Sequence, residues 1–397
     1  MERFAELLDS LVYTQSRNRK LELLGAYFAT TPDQDRGWAL CALTDGLPLR
    51  FPLRRVLGDL LVDIIDPDLY RLSRDYVGDT AETVSLLWPD YPGTRQPPAL
   101  SDVVSSFQSC SPMMQASLLR RMLDNLDTSG RFALLKLLGG APRVGVSARM
   151  AKMSLAKAFA TDIAEIEEVW HAVDAPYGDL FAWLEGRSER PDPGLKPVFR
   201  PLMLAHPVEE EDWPHLSAND LLAEWKWDGI RVQIASKPTE TRIYSRTGDE
   251  ITASFPEIAS AFTGLDCVAD GELLIVREGV VAPFNDLQQR LNRKAVSARM
   301  QRDFPAHVRL YDLLLDGQRD LRSLTLVERR QHLEAWFDQH APTRCDLSDL
   351  VTFDDFEELG RIWSRTRADE IEGLMLKQKS SPYLAGRPKG HWWKWKR

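Results

Sequence analysis

The sequence predicts a chain in two parts, an all-α N-terminal domain over residues 1–190 and a multistranded α+β domain over residues 200–397. Three observations carry that reading. Apolar residues recur every three or four positions as far as about Pro191. A polar stretch with two prolines and a glycine at either end, Gly186-Arg187-Ser188-Glu189-Arg190-Pro191-Asp192-Pro193-Gly194, interrupts the pattern and predicts a linker over residues 191–199. Beyond it, short runs alternate polar and apolar residues, as half-buried strands do.

In the helical half, Phe4, Leu7, Leu8 and Leu11 share one helix face, and Met114, Leu118, Leu119 and Met122 repeat the spacing. Thr31-Pro32-Asp33, Tyr91-Pro92-Gly93 and Gly139-Gly140-Ala141-Pro142 punctuate the helices. The segment Arg143-Val144-Gly145-Val146-Ser147-Ala148-Arg149-Met150 leads into another helix, with Ser147 a good N-cap. N–H groups at a helix start, with Arg143, Arg149 and Lys152 nearby in sequence, suit a phosphate. The same residues read equally as an ordinary helix corner with scattered cations.

In the second half, residues 231–235 alternate cleanly, and strand-like pieces recur at 242–246, 267–276, 308–314, 373–378 and 391–396. Helical stretches lie between them, around 326–340 and 354–365. Strands and helices interspersed in this way predict an α+β domain with an antiparallel sheet.

Bulk properties exclude several classes. The 397 residues are 44% hydrophobic and 27% charged, as in soluble globular proteins. No apolar run approaches the 18 or so residues that span a bilayer. The N-terminus lacks the basic start and apolar stretch of a secretory signal. Cys41, Cys110, Cys267 and Cys345 form no CxxC or zinc spacing, and the seven histidines form no HExxH, so reduced thiols in a cytoplasmic protein are expected. A net charge of −9 speaks against a uniformly basic nucleic-acid binder. Phosphate binding, however, needs only a local basic face.

The most informative segment is Glu224-Trp225-Lys226-Trp227-Asp228-Gly229-Ile230-Arg231. An amine nucleophile has to be neutral when it attacks, and burial and neighbouring cations both favour that form. Trp225 and Trp227 can exclude water, Arg231 supplies a cation, and Gly229 permits a tight turn beside a ligand. Taken alone, a KxDG also reads as a surface lysine beside an Asp-Gly turn. Further along, Lys394 and Lys396 are two apart, so on a strand they share a face and could grip a phosphate or simply be solvated. Glu272 follows Asp270-Gly271 in a strand-like run, and a carboxylate there can accept from a sugar hydroxyl or be a turn acid.

These residues resemble the ordered motifs of the covalent nucleotidyltransferases. After the lysine motif come Ser245-Arg246-Thr247-Gly248, Asp270-Gly271-Glu272, Leu310-Tyr311-Asp312, Glu372-Gly373-Leu374-Met375-Leu376-Lys377 and Trp392-Trp393-Lys394-Trp395-Lys396, covering nearly all of residues 200–397. Six matches in family order are far more specific than any one. Within the superfamily, the N-terminal half resembles the helical DNA-binding domain of ATP-dependent DNA ligases. Its RxG element is approximated by Arg143-Val144-Gly145 with Ser154-Leu155-Ala156 at its end. Arg200-Pro201-Leu202-Met203-Leu204-Ala205 is similar to the start of their adenylation domain, with arginine in place of lysine.

The resemblance implies a nick-sealing enzyme with an ATP-grasp-like adenylation domain. Lys226 would carry AMP, and Lys394 and Lys396 would hold the α-phosphate. Glu224 would meet the adenine amino group, Tyr311 would stack on the base, and Lys377 would line the nucleotide site. Arg231 and Arg246 would contact AMP or the nick phosphate. Glu372 and Glu272 would hold Mg²⁺ or Mn²⁺, with Glu272 also facing the ribose. Arg143, Ser147, Arg149 and Lys152 would contact the backbone of nicked duplex DNA. A monomeric, cytoplasmic, nucleoid-associated repair enzyme of a bacterium is expected, with replication and recombination as neighbouring roles. Ligases of this type continue into an OB-fold that has no counterpart in this sequence, so impaired self-adenylation is a further expectation. The alternatives are an RNA ligase or capping-type nucleotidyltransferase, and a nick-binding protein without activity.

Overall fold

The computed structural model describes residues 1–44, 46–91, 96–140, 142–291, 293, 295–366 and 370–396. The chain divides into two compact units, Met1–Asp192 and Pro193–Arg397. Pro92, Gly93 and Ala141, expected as helix breakers, lie outside the described residues.

The first unit is helical from Glu2–Tyr13 to Gly178–Leu184. Short polar side chains start its helices by accepting from an exposed backbone N–H. Ser16 accepts from Arg19, Asp66 from Leu69, Asp127 from Gly130 and Ser147 from Met150. Phe4, Leu7, Leu8 and Leu11 all enter the core, as do Leu118, Leu119 and Met122. Met114 does not. It closes a short 3-10 turn, Pro112–Met114, and is 58% exposed. Arg131 is buried in this core, where it donates to the carbonyls of Leu123, Trp88 and Pro89 and pairs with Asp90. A buried guanidinium is tolerated because its donors find acceptors.

In the second unit the strands are β1 (His206–Pro207), β2 (Leu221–Trp227), β3 (Ile230–Lys237), β4 (Glu240–Ser245), β5 (Cys267–Arg277), β6 (Val280–Val281), β7 (Ala306–Asp316), β8 (Arg319–Asp320), β9 (Cys345–Leu347), β10 (Leu350–Val351), β11 (Ile371–Gln378) and β12 (Trp392–Lys396). They form two sheets, ordered β1-β12-β11-β2-β10 and β4-β3-β5-β7-β8, with β6 on β5 and β9 on β7. Pairing is antiparallel except for the short β1–β12 and β7–β9 contacts. The helix Leu326–His340 starts with a reciprocal capping box between Thr325 and Glu328. It packs Leu333 and Trp336 into the core of the second sheet. Its Arg329 reaches Asp312 of β7 in a fully buried ion pair, with Nε–Oδ1 at 2.8 Å.

The expected linker ends earlier than residue 199. Val198 and Phe199 are buried, and the Phe199 ring meets Tyr244 of β4 edge-on at 5.7 Å. Two large apolar residues after a run of polar ones gain more by joining a core than by remaining solvated.

Candidate active site

The two sheets meet over a cavity of about 410 Å³. β2 and β3 join through Asp228-Gly229, so the end of one sheet runs directly into the edge of the other. Lys226 sits at that junction and lines the cavity. Gly229 is needed here for space rather than for a left-handed turn. A Cβ would lie 2.6 Å from the Leu273 carbonyl oxygen and 2.9 Å from Glu272 Cγ. Its absence lets β5 carry Glu272 close to the lysine strand.

Glu372 is the hub of the end of the cavity that holds Lys226. It stands on β11 next to Gly373, whose Cα partner is Lys226 on one side and Lys396 on the other. Glu372 accepts from Lys226, and Lys396 Nζ lies 2.6 Å from the same oxygen. Burial pushes the Glu372 carboxyl up, but the two ammonium groups outweigh it and hold it down at about 2. Asp228 is shifted the other way, first by burial and then by its hydrogen bond with Glu372. Glu272 is pushed up to about 8 by burial, against the pull of Lys226 and Arg231. Lys394 also lines the cavity, and its ammonium is lowered by burial and by the nearby cations Arg387, Lys396, Arg246 and Lys226. Two strand positions therefore give two different cations. Lys396 is committed to Glu372, while Lys394 has no carboxylate partner among the described residues.

The other end of the cavity is ordered by a buried pair. Lys377 Nζ lies 3.0 Å from both carboxylate oxygens of Glu224, and Ser348 Oγ donates to Glu224 at 3.2 Å. The Lys377 ammonium also lies over the Tyr311 and Trp392 rings, at 4.5 and 4.8 Å from their centres. Tyr311 lines the cavity rather than serving only as core. Arg231 is held rigidly. It donates to the Met203 carbonyl at 2.6 Å and to Asp270 at 2.7 Å, and Asp270 is shared with Tyr383 and Gln233. Arg246 follows the last residue of β4 and completes the cationic wall.

Every candidate from the second unit thus lines one cavity: Glu224, Lys226, Arg231, Arg246, Glu272, Tyr311, Glu372, Lys377, Lys394 and Lys396. Sequence reasoning missed Arg309, Ser348 and the Asp270–Tyr383–Gln233 network. Arg309 was within reach, because it stands two residues before Tyr311 on one strand and so shares its face.

The candidates of the first unit fare unevenly. Arg143 and Arg149 are exposed, Arg143 with a positive φ of 53°, and the Ser147 hydroxyl is occupied as an N-cap. Lys152 departs from expectation. It is only 4% exposed, and its ammonium lies 4.5 Å from the centre of the Trp170 ring, so it serves the interior rather than presenting to a phosphate. Among the described residues, no helix is long and apolar enough to cross a membrane, and no group of three or more His, Cys, Asp or Glu is placed to hold a metal ion by itself.

Two antiparallel sheets around a lysine at their junction, with carboxylates and lysines facing it, define a nucleotidyltransferase-type α+β domain. Residues 202–396 match the family described as ATP dependent DNA ligase domain, and this part of the chain belongs to that family. A protein of Koribacter versatilis named Probable DNA ligase is 31% identical over 290 residues, 66% of this chain and 50% of its own length. A DNA ligase of Archaeoglobus fulgidus is 28% identical over 275 residues, 66% of this chain and 47% of its own. The chain therefore spans about half the length of the curated relatives it matches. A solved structure described as Pmar-Lig_PreS3 aligns with 99% of this chain and 78% of its own at a TM-score of 0.54 and 15% identity, a likeness of fold alone.

Proposed function

We propose that the chain supplies the DNA-binding and adenylating parts of an ATP-dependent DNA ligase, with residues 1–190 holding nicked duplex DNA and residues 200–397 activating it. The observation that carries this reading is the convergence of Lys226, Glu372, Lys396 and Glu272 at one end of a single cavity whose other end is walled by Tyr311, Lys377 and Glu224. A nucleotide fits with its base among Tyr311, Trp392, Lys377 and Glu224 and its phosphates toward Lys226, Lys394 and Arg246. In the resting site Glu372 holds Lys226 in place by an ion pair. Lys226 first gives up a proton to solvent and becomes a neutral amine; its Nζ then bonds the α-phosphorus as the bond to pyrophosphate breaks, and a second proton leaves the nitrogen for solvent. Lys394 and Lys396 balance the charge that builds on the phosphoryl oxygens. The AMP moves on to the 5′-phosphate of a nick, and attack by the 3′-hydroxyl expels it as the strand is sealed.

A divalent ion fits the donor set. Mg²⁺ or Mn²⁺ takes hard oxygens and usually only one or two protein carboxylates, with phosphate and water completing its shell. Glu372 and Glu272 would hold it, and when bound it would draw charge from the phosphates. Contacts to duplex DNA fall to Arg143, Arg149 and the backbone at Ser147, by attraction to phosphate that is indifferent to base sequence. A monomer is sufficient, since the whole cavity is built from one chain.

The test is covalent labelling. Incubation with α-labelled ATP and Mg²⁺ should leave label on the protein that withstands denaturation, and Lys226→Ala should abolish it. Label retained by the alanine variant, or preferred labelling by GTP, would overturn the assignment. Transfer of the label to nicked DNA rather than nicked RNA distinguishes the polymer.

A further inference from the structure

A row of alternating charges crosses four adjacent strands. Arg231 of β3 is the Cα partner of Glu272 on β5, Glu272 is that of Arg309 on β7, and Arg309 is that of Asp346 on β9. Cross-strand partners present their side chains on the same face, and the first three line the nucleotide cavity. The row is not paired off symmetrically. Arg231 has turned to Asp270 and the Met203 carbonyl. Arg309 gives Nε and Nη2 to Asp346, at 2.9 and 2.7 Å, and its guanidinium lies 4.4 Å from the centre of the Trp227 ring. Glu272 is left between them with no hydrogen-bond partner among the described residues, and Arg309 Nη1 is likewise uncommitted.

A carboxylate only accepts and a guanidinium only donates. Glu272 and Arg309 Nη1 thus offer one acceptor and one donor on neighbouring strands, and the donor is doubly immobilised by Asp346 and Trp227. Charge decides what they would take. Arg309 is balanced by Asp346, and Glu272 brings no cation, so the pair is a poor home for phosphate. A neutral vicinal diol, in which one hydroxyl donates and the other accepts, satisfies both atoms. We propose that Arg309, held by Asp346 and Trp227, is a specificity-determining residue that together with Glu272 reads the ribose diol and selects a ribonucleotide over a deoxynucleotide cofactor. The proposal rests on the nucleotide-site reading above. It adds a residue outside the motifs that identify the domain, and Asp346 and Trp227 become its positioning partners.

Equilibrium binding tests it without requiring turnover. The probes are α,β-methylene-ATP, which cannot be cleaved at the bond in question, and its 2′,3′-dideoxy counterpart, with binding read by calorimetry. The wild-type chain should prefer the ribose form by about ten-fold or more, as expected for a hydrogen bond to a charged group. Arg309→Gln should remove most of that preference by weakening the ribose form alone, leaving the dideoxy form unchanged. Asp346→Asn, which frees Arg309 without removing it, should lower the preference partially and serves if the glutamine variant does not fold. If both probes weaken equally in Arg309→Gln, or if the preference survives in both variants, Arg309 does not read the sugar and the proposal fails. Failure of the wild-type chain to bind either probe would instead overturn the nucleotide site itself.

Discussion

Lys377 and Glu224 meet in a buried ion pair across β11 and β2, with the ammonium 3.0 Å from both carboxylate oxygens and both residues under 5% exposed. Each was expected at a nucleotide site from its motif, but not that they would hold one another. The pair closes the Tyr311 end of the cavity and holds the Glu224 carboxylate in a fixed orientation. Removing one member leaves the other charged and buried, which typically costs about 3–5 kcal/mol. Lys377→Met should therefore lower the melting temperature by roughly 10 °C, at about 2–4 °C per kcal/mol for a domain of this size. Lys377→Met combined with Glu224→Leu should recover most of that loss while still abolishing nucleotide binding. Thermal melts of the wild type and the two variants check this. A single variant that melts within 2 °C or so of wild type would show that the pair is not desolvated.

The contrast between two glycines gives a second prediction. Gly373 lies between Lys226 and Lys396 in the sheet, and a Cβ there would stand 2.2 Å from the Trp395 carbonyl oxygen. The obstacle is backbone, which cannot swing aside, so Gly373→Ala must part β11 from β12. A loss of about 1–3 kcal/mol is expected from overpacking, together with loss of Lys226 labelling as Lys396 is drawn away from Glu372. Gly58 lies inside the helix Leu53–Leu61 with nothing within 4 Å of its would-be Cβ. Gly58→Ala should stabilise by up to about 1 kcal/mol, the difference in helix propensity, and leave labelling unchanged. Denaturant midpoints with unchanged slopes would confirm both signs.

Acid should reveal the Asp346 anchor. Burial raises its carboxyl, but hydrogen bonds from His307 and Arg309, with their nearby charge, prevail and bring it down to about 2. A free aspartate titrates near about 3.9. The folded value lies below the unfolded one, so the contribution is complete above pH 4 or so and is lost as pH falls toward about 2. Wild type should be more stable than Asp346→Asn at pH 5, and the gap should close between about pH 4 and about pH 2. Asp346 is 39% exposed, so solvent screening keeps the gap small. A gap that widens on acidification would contradict the assignment.

What the sequence made legible follows from what is local. Alternation located β3 at residues 231–235, and three- and four-residue spacing located the helix at 326–340, because side-chain periodicity is a property of the segment itself. The lysine, its glycine and the two terminal lysines stood out because their order and spacing are local too. Burial and register are not. Lys152 looked like a surface cation until the helix was packed against Trp170, and Phe199 looked like linker until it met Tyr244. The row from Arg231 to Asp346 spans 115 residues of sequence and exists only once β3, β5, β7 and β9 are in register. Gly229 was legible as necessary but for the wrong reason, a turn, when the approach of β5 is what demands it.

Lys394 and Lys396 provide the last prediction, since strand geometry makes them neighbours while their partners make them different. Lys396 is tied to Glu372 at 2.6 Å, whereas Lys394 faces other cations and has no carboxylate partner among the described residues. A cation crowded by like charges and burial gains most when an anion arrives. Lys394→Ala should therefore weaken ATP binding most, with the loss shrinking as salt is raised, because screening weakens the same attraction in the wild type. A charge-assisted hydrogen bond is worth about 1.5–3 kcal/mol, or roughly 10–100-fold in kcat/KM for Lys226 labelling. Lys396→Ala removes instead a restraint on Glu372, so its effect should fall mainly on kcat, with KM for ATP little changed. Labelling rates against ATP concentration at two ionic strengths separate the two. Equal losses in kcat and KM for both variants would show that the two lysines act as one charge.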